Sequence, residues 1–479
     1  MPPKLLFVCM QNSPHAVRWI NSIADRGWDL HIFPINHHLV LPSLRGVTVH
    51  PPFLRVRRDR ILKGLRWSIR RWWRELADAE AAAHPFRLPS KPIYPVPLPG
   101  RVAAALDRIM VRTGESDATS PLPYGPWSLA RLIRKLQPDL IHSMEFQHCG
   151  YNVLRARQII GRDFPPWLAT NWGSDIYYFR QFDGHRAQIT RLLRQIDFYS
   201  CECERDIGLA RELGMTAKVL PVMPNSGGFD LQWAEPVRSL MPPSRRRLIM
   251  VKGYQHFAGR ALTALAALER CADVVKDFDV VIFSPSTEAV QRAAELRAST
   301  PIKSITVLPF VTHEQMLRMH AMARVYLGVS VSDAISTSAL EAMAMGAFPI
   351  QTDTSCCDEW FEHGKGGYLI PPNDVDLIAE RVRSALTDDS LVDQAAVINW
   401  RVIETRLDQR EVKRRTWAFY DEIFNALDQS REAKGTVKED IATEEDKRLV
   451  VVPASMPHVK LQPSADGPRH PPPRNRDRA

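Results

Sequence analysis

The stretch "SVSDAISTSALEAMAMG" near residue 335 combines two carboxylates with a run of hydroxyls. Asp333 and Glu341 are separated by seven small or apolar residues, and an Ala- and Met-rich run follows the hydroxyls. That run predicts a helix, and the N-terminus of a helix attracts anions through free N–H groups and the helix dipole. A diphosphate suits this place, with Asp333 on the approaching loop and Glu341 one turn into the helix, able to bind paired hydroxyls such as those of a ribose. The hydroxyl residues are Ser336, Thr337 and Ser338.

A simpler interpretation remains open at this point. Ser and Thr at a predicted helix start commonly do no more than cap the helix, and Glu341 could be a surface residue. The segment "VKGYQHFAGRALTAL" adds Lys252 and Arg260, which could neutralise a departing diphosphate or could be solvated surface cations. The spacing alone does not choose between these alternatives.

Short apolar runs alternate with helix-like segments along most of the chain. "KLLFVCM", "HAVRWINSIADRGW" and "DLHIFPI" predict strand, helix and strand, as at the start of a parallel doubly wound sheet. A Pro- and Arg-rich stretch over 236–247 indicates a linker, after which the alternation restarts. We therefore predict an α/β fold with two Rossmann-like domains, over 1–235 and 236–428. The polar, proline-rich segment 429–479 is predicted to be disordered.

Composition narrows the class of protein. The chain has 479 residues, a formal net charge of +9 and a pI near 9.2, which favours an anionic partner. It contains no apolar run long enough to span a membrane, and its first residues do not suggest a secretory signal. Seven cysteines in a long chain are typical of a reducing cytoplasm and of buried thiols. Neither the pair Cys201 and Cys203 nor the pair Cys356 and Cys357 has a second pair at zinc-like spacing.

The segments "LEAMAMGAFPI" and "EWFEHGKGGYLIPPND" together resemble the donor-binding signature of group 1 retaining glycosyltransferases of the GT-B fold. That family shows two Glu residues separated by seven residues; Asp333 occupies the first Glu position and Glu341 the second. The resemblance implies two Rossmann-like domains facing across a cleft and transfer of a sugar from a nucleotide donor, with retention. It also implies that Lys252 and Arg260 take the place of the family's basic pair, in altered order and spacing.

No metal or cofactor is expected, because side chains and a helix end can compensate the charge of the leaving group. The one Asp-x-Asp string, Asp374 and Asp376, matches the acidic first turn of a helix better than a manganese site.

The N-terminal half departs from the resembled family, in which it receives the acceptor. The first loop, "MQNSPHAVRW", lacks a glycine pair, and Trp172 stands where the family has a histidine. Polar candidates remain at predicted carboxyl ends of strands, where open α/β sheets bind ligands. We take Asp175 as a candidate catalytic residue beside Asp333, and we place His15, Glu145 and His148 on the acceptor side, although a structural role for each is equally open.

A basic insert interrupts the alternation between about 50 and 125. Within 55–76 a predicted helix places apolar residues on one face and basic residues on the other, a pattern typical of a segment lying on an anionic membrane surface. A helix packed on its own domain is the competing interpretation, and no nucleic-acid-binding module accompanies it. The apolar face holds Ile61, Leu65, Ile69, Trp72 and Leu76, and the basic face holds Lys63, Arg66, Arg70 and Arg74.

The sequence thus predicts a cytoplasmic glycosyltransferase, with peripheral membrane contact through residues 55–76. Its expected partners are a nucleotide-sugar donor and a glycan or lipid-linked acceptor, and nucleic acid is not expected. Two alternatives stay open: a GT-B nucleotide-sugar epimerase or hydrolase, and a non-catalytic sugar-nucleotide-binding protein, for which Asp333 and the missing histidine are the hints.

Overall fold

A computed structural model describes residues 2–35, 40–50, 126–224, 227–302, 304–308 and 311–449. The predicted interfacial helix over 55–76 lies outside the described residues. Within them, two parallel sheets carry the fold, which confirms the predicted α/β architecture. No helix in this part of the chain is both long and apolar enough to cross a membrane.

The first sheet is built from the N-terminal half. Its strands are β1 (Lys4–Cys9), β2 (Asp29–Pro34), β3 (Thr48–Val49), β4 (Leu140–Met144), β5 (Trp167–Thr170), β6 (Phe198–Ser200) and β7 (Lys218–Val219). Their order is β3-β2-β1-β4-β5-β6-β7, and each pair of neighbouring strands is parallel. The order reverses beside β1, so a crevice opens outside the carboxyl ends of β1 and β4.

The second sheet repeats this arrangement. Its strands are β8 (Leu248–Lys252), β9 (Asp279–Phe283), β10 (Ser304–Val307), β11 (Ala323–Gly328), β12 (Phe348–Thr352) and β13 (Tyr368–Ile370), in the order β10-β9-β8-β11-β12-β13. The switch point lies between β8 and β11. Lys252 ends β8, and the loop after β11 leads to Asp333, so both reach the same crevice.

Helices cover both sheets and bury the apolar runs of the strands. The first domain has α1 (Pro14–Ile23), α2 (Pro126–Leu136), α3 (Tyr151–Ile160), α4 (Asp183–Leu193) and α5 (Glu204–Glu212), and α6 (Leu231–Arg238) follows in the connection. The second has α7 (Ala261–Arg270), α8 (Ala272–Val275), α9 (Thr287–Ser299), α10 (His313–Met322), α11 (Thr337–Ala344), α12 (Val375–Thr387) and α13 (Asp389–Leu407). Each sheet has its own buried apolar core, as expected of two Rossmann-like domains.

The predicted linker over 236–247 is more ordered than its composition indicates. Residues 236–238 belong to α6, and Arg246 is 2 % exposed. The Arg246 guanidinium donates to four backbone carbonyls, and its burial lowers the pKa to about 10. Arg246 is therefore a buried anchor for this segment, because the five N–H donors of a guanidinium can satisfy several carbonyls at once. Those carbonyls belong to Arg238, Met241, Ala323 and Met345.

The final helix, α14 (Gln409–Leu449), begins in the segment assigned to the second domain, and its start packs on the first. The Trp19 Nε1 atom of α1 donates to the Tyr420 hydroxyl over 2.9 Å, and that hydroxyl lies 2.8 Å from His142 Nδ1 on β4. Burial lowers the pKa of His142 to about 3, so it is neutral and Nδ1 can accept from the hydroxyl. The far side of the His142 ring contacts Thr170 on β5.

The segment predicted to be disordered begins inside α14, and its disorder stays a prediction. Helix α14 continues to Leu449, and residues 450–479 lie outside the described part. Low apolar content argues against a core but not against a helix, because a helix forms its backbone hydrogen bonds within itself.

Removing the Tyr420 hydroxyl tests the anchor of α14. Tyr420→Phe leaves the buried indole N–H of Trp19 without its acceptor, so we expect a loss of about 1–3 kcal/mol in the free energy of unfolding. Differential scanning calorimetry should show a clearly lowered melting temperature. Tyr254→Phe, at a tyrosine that is 41 % exposed, is the matched control and should melt as wild type. Equal melting of the Tyr420→Phe and wild-type proteins would contradict the anchor.

Candidate active site

The carboxylate of Asp333 and the ammonium of Lys252 meet at the switch point of the second sheet. Lys252 Nζ lies 3.8 Å from Asp333 Oδ2, with 17 % and 25 % of the two side chains exposed. Burial lowers the pKa of Lys252, but nearby Tyr326 and Asp333 outweigh it and the net shift is upward. Lys252 is therefore a permanent cation at a cleft, able to neutralise an anion that binds beside it.

The N-terminus of α11 opens beside this pair. Ser336 is the N-cap residue, Thr337 and Ser338 form the start of the first turn, and the Ser336 side chain makes no capping hydrogen bond. Its hydroxyl instead lies 3.2 Å from the hydroxyl of Tyr326 on β11. Ser336 therefore does not perform the simple capping function that the sequence left open, and the helix end keeps its affinity for an anion.

Glu341 lies one turn into α11 and is buried, not a surface residue. Its Oε1 atom accepts from His313 Nε2 over 2.9 Å, and His320 Nε2 lies 3.9 Å from Oε2. Burial raises the pKa of Glu341, but His313, His320 and Arg18 outweigh that effect and the net shift is downward. The group is therefore a carboxylate at neutral pH, with acceptor positions left for a ligand.

His313 is a residue of this site that sequence reasoning missed. It begins α10 directly after the segment that follows β10, at the same edge of the sheet as Lys252. A histidine in the first turn of a helix after a buried strand is the signal that could have found it, but such a histidine is also common at ordinary surfaces. Its pairing with Glu341 depends on two helices that only the fold brings together.

A cavity of about 620 Å³ lies beside the pair His313 and Glu341. Residues of α1, of the connection after β7 and of α10 line it, so it is formed by both domains. Four basic side chains, Arg18, Arg45, Arg410 and Lys413, are among its lining residues. Its position next to the carboxylate of Glu341 gives room for a polar, anionic ligand to extend from the helix end.

The "WGSD" turn of the first domain contacts the Asp333 loop. Ser332 Oγ donates to Ser174 Oγ over 2.9 Å, and a Cβ atom built at Gly173 would lie 3.1 Å from Asp333 Oδ1. Gly173 has a φ of +24°, a conformation that side-chain-bearing residues rarely adopt. The "WGSD" turn can therefore approach the Asp333 carboxylate closely because it carries a glycine.

Arg205 of α5 makes the strongest of these contacts. Its Nη2 atom donates to the carbonyl oxygen of Asp333 over 2.8 Å, and Nη1 donates to that of Thr354 over 3.0 Å. The guanidinium stacks 3.9 Å from the centre of the Tyr177 ring and is held by Asp206. One side chain of the first domain thus sets the position of two loops of the second.

The candidate residues Asp175, Glu145 and His148 lie near one another and form hydrogen bonds within loops of the N-terminal domain. Asp175 Oδ2 accepts from the backbone N–H groups of Phe146 and Trp172, which joins the ends of β4 and β5. Burial and the charge of Glu145 raise the pKa of Asp175 well above its usual value. These contacts make Asp175 a positioning residue for the "WGSD" turn, and its catalytic assignment stays a prediction.

Glu145 and His148 form an ion pair at one turn of π-helix, Phe146–Gly150. Glu145 has a φ of +83°, and its carboxylate accepts from the backbone N–H groups of His148 and Cys149. The two side chains also pair directly, with His148 Nδ1 3.0 Å from Glu145 Oε1. The acceptor-side assignment of both residues stays a prediction.

The two remaining candidates occupy the edges of the cleft. His15 lies at the start of α1, and the centre of its ring lies 6.0 Å from that of Trp172. Trp172 therefore lies beside the first loop. Arg260 precedes α7, and its Nη1 atom donates to the carbonyls of His256 and Gly259. In this structure Arg260 orders the loop that carries it, whereas Lys252 is the basic residue beside Asp333.

The Asp374 side chain caps α12 by accepting from the N–H of Leu377 over 2.9 Å, which confirms the capping interpretation. Asp376 is paired with Arg270 on the surface. All seven cysteines are free and buried, as predicted.

Comparison with known proteins agrees with this geometry. Residues 246–398 match the family described as glycosyl transferases group 1, and residues 110–201 match the family described as glycosyl transferase 4-like. The first match covers every strand of the second sheet and includes Lys252, Asp333 and Glu341. The chain is a glycosyltransferase whose residues 246–398 form a group 1 domain.

Solved structures share the two-domain GT-B fold at low sequence identity. A sucrose-phosphate synthase from Thermosynechococcus elongatus superposes with a TM-score of 0.60 at 14 % identity, covering 89 % of this chain and 100 % of that chain. The HepE protein of Anabaena, in complex with UDP and glucose, gives 0.56 at 14 % identity, covering 89 % and 99 %. A UDP-forming trehalose-phosphate synthase from Burkholderia xenovorans gives 0.56 at 13 % identity, covering 88 % and 99 %. No sequence among the curated proteins matches the chain.

Replacing Arg205 tests whether the transferase needs this contact between its domains. Arg205→Gln removes charged hydrogen bonds worth about 1.5–3 kcal/mol each, so we expect kcat for donor turnover to fall about 10- to 100-fold with little change in nucleotide affinity. Arg205→Lys should recover part of the loss, because one ammonium cannot reproduce the planar fork. Arg211→Gln, on the exposed end of the same helix, is the control. Wild-type kcat in Arg205→Gln would refute the contribution of this contact.

Proposed function

We propose that this glycosyltransferase takes its sugar from a nucleoside diphosphate donor bound along the second domain. The observation that carries the proposal is that Lys252, the N-terminus of α11 without a side-chain cap, and the carboxylate of Glu341 lie at one site. The diphosphate binds at Lys252 and the N–H groups of Thr337 and Ser338, and the ribose hydroxyls donate to Glu341. The cavity beside His313 then receives the nucleoside.

The chemistry follows from where charge develops. As the bond between the anomeric carbon and the diphosphate oxygen lengthens, negative charge grows on the leaving group and positive charge on the sugar. Lys252 and the helix end stabilise the leaving group, and the Asp333 carboxylate faces the sugar. We propose that the acceptor hydroxyl attacks from the face that the leaving group vacates, which retains the anomeric configuration.

UDP is the first donor nucleotide to test, because HepE is described in complexes with UDP and with UDP-glucose. We propose a glycan or a lipid-linked saccharide as the acceptor, entering from the first domain near His15 and the "WGSD" turn. Membrane contact through residues 55–76 would bring the enzyme to a lipid-linked acceptor, and this part of the proposal rests on the amphipathic sequence alone.

Glu341→Gln tests the ribose contact. Replacing the carboxylate weakens the bonds accepted from ribose hydroxyls, so we expect nucleotide affinity to fall by about 1.5–3 kcal/mol, roughly 10- to 150-fold. Isothermal calorimetry with UDP, GDP and ADP measures the affinity and identifies the base. Glu288→Gln, on the exposed face of α9, is the control, and a melting curve checks that the variant is folded. Unchanged affinity for every nucleotide would refute the assignment of Glu341.

Metal chelation tests how the leaving group is stabilised. We propose that Lys252 and the α11 end supply the positive charge, so that turnover of a UDP-sugar continues in excess EDTA. Lys252→Met should then reduce kcat by about 10²–10³-fold, as for loss of one electrostatic contact to the transition state. Turnover that requires added Mn²⁺ or Mg²⁺ would contradict this part of the proposal.

A further inference from the structure

Two cysteines from different domains come together beside the Asp333 loop. Cys203 precedes α5 of the first domain, and Cys356 lies in the loop after β12 of the second. Their sulfur atoms and a carboxylate oxygen of Glu359 all lie within 4.8 Å of one another. The sequence offers the neighbours Cys201 and Cys203 or Cys356 and Cys357 as pairs, but the fold pairs one cysteine of each.

This pair is coupled to the donor site through the backbone. The Cys356 N–H donates to the carbonyl oxygen of Ala334 over 2.6 Å, and Ala334 shares a small buried apolar cluster with the two cysteines. Ala334 follows Asp333 directly, so the cysteines lie behind the proposed catalytic loop. Cys203 is fully buried and Cys356 is 3 % exposed.

The surroundings favour sulfur chemistry over a metal ion. The Glu359 carboxylate already accepts from the backbone N–H of Glu204 over 2.9 Å, and so caps α5 from the other domain. Its capacity to bind a cation is therefore partly used. The Arg205 guanidinium lies close enough to both sulfurs for its positive charge to oppose a cation there. The hydrogen bond with Cys356 and burial raise the pKa of the Cys203 thiol, so Cys203 acts as the thiol of the pair.

We propose that Cys203 and Cys356 are a disulfide site that links the two domains when a peroxide is present. The two sulfur atoms lie within 4.8 Å of each other, whereas a zinc ion would need four ligands where the site offers two thiols and a carboxylate already engaged. A reducing cytoplasm keeps the pair as thiols, and such disulfides in cytoplasmic proteins are usually transient.

The reaction proceeds in two balanced steps. Cys356 reacts first, because its side chain has the larger exposed fraction. Its thiolate attacks one oxygen of hydrogen peroxide, which gives a sulfenic acid. The leaving hydroxide takes up the proton that the thiol has lost and becomes water. The Cys203 thiol then attacks the sulfenic sulfur, which forms the S–S bond and releases a second water. Peroxide accepts the two electrons that the two thiols lose.

The disulfide would hold the start of α5 against the Asp333 loop. A nucleotide donor enters and leaves between these same domains, so the cross-link should slow turnover rather than disrupt the fold. This effect on activity rests on the proposed function, but formation of the bond does not. The bond is therefore tested first by mass and thiol count.

The experiment treats the reduced, full-length protein with hydrogen peroxide. We expect the monomer mass to fall by about 2 Da, the free thiols to fall by two from seven, and peptide mapping to join Cys203 to Cys356. The melting temperature should rise, because the cross-link restricts the unfolded chain. Donor turnover should fall at least about tenfold and return with dithiothreitol.

Variants identify the partners. Cys203→Ser and Cys356→Ser should each prevent the loss of two thiols, whereas Cys271→Ser, at a buried cysteine in the helical segment between α7 and α8, should leave the cross-link intact. A bond mapped within Cys201–Cys203 or within Cys356–Cys357, or no loss of thiols, would overturn the proposal. One equivalent of tightly bound zinc that Cys203→Ser releases would also overturn it. An intact cross-link with unchanged turnover would confirm the site but not its effect on the enzyme.

Discussion

The Asp333 loop is held from both domains, and the rest of the site depends on that constraint. Its own domain supplies Lys252 at 3.8 Å, and the first domain supplies Arg205 to its carbonyl and Gly173 against its carboxylate. Because the loop has no regular structure of its own, these contacts set where the carboxylate lies. A site assembled this way exists only while the two sheets face each other, which couples the chemistry to the position of the domains.

Electrostatics explain why the buried charges are tolerated. Glu341 stays ionised because His313 and Arg18 compensate its burial, and Lys252 stays protonated because Asp333 and Tyr326 lie near it. Each group has a partner that does not exhaust its bonding capacity, so a ligand can be recognised without first breaking a strong ion pair. Asp175 differs from Glu341 and Lys252 because burial and the charge of Glu145 raise its pKa. Its Oδ2 atom already accepts from two backbone N–H groups.

Much of the fold could be predicted because it depends on local patterns. Apolar runs of strand length recur with helix-like segments between them, and the structure has strands at the predicted positions, such as Lys4–Cys9 and Leu248–Lys252. Composition was a poor guide to the segment 236–247, where the buried Arg246 guanidinium donates to four backbone carbonyls. The average composition of a segment does not show which hydrogen-bond partners one of its side chains will find in the folded chain.

The sequence by itself determined that Asp333, Ser336 and Glu341 lie close together, because they fall within nine residues and one loop-helix unit positions all three. It also determined the two-domain class, through the repeated alternation of strands and helices. Only the tertiary structure decided two contacts between the domains, Arg205 with the Asp333 carbonyl and Cys203 with Cys356, and the pairing of His313 with Glu341 within the second domain. These partners are separated by 28 to 153 residues, and no local periodicity encodes such a distance; it is set by how the strands are ordered and how the two sheets face each other.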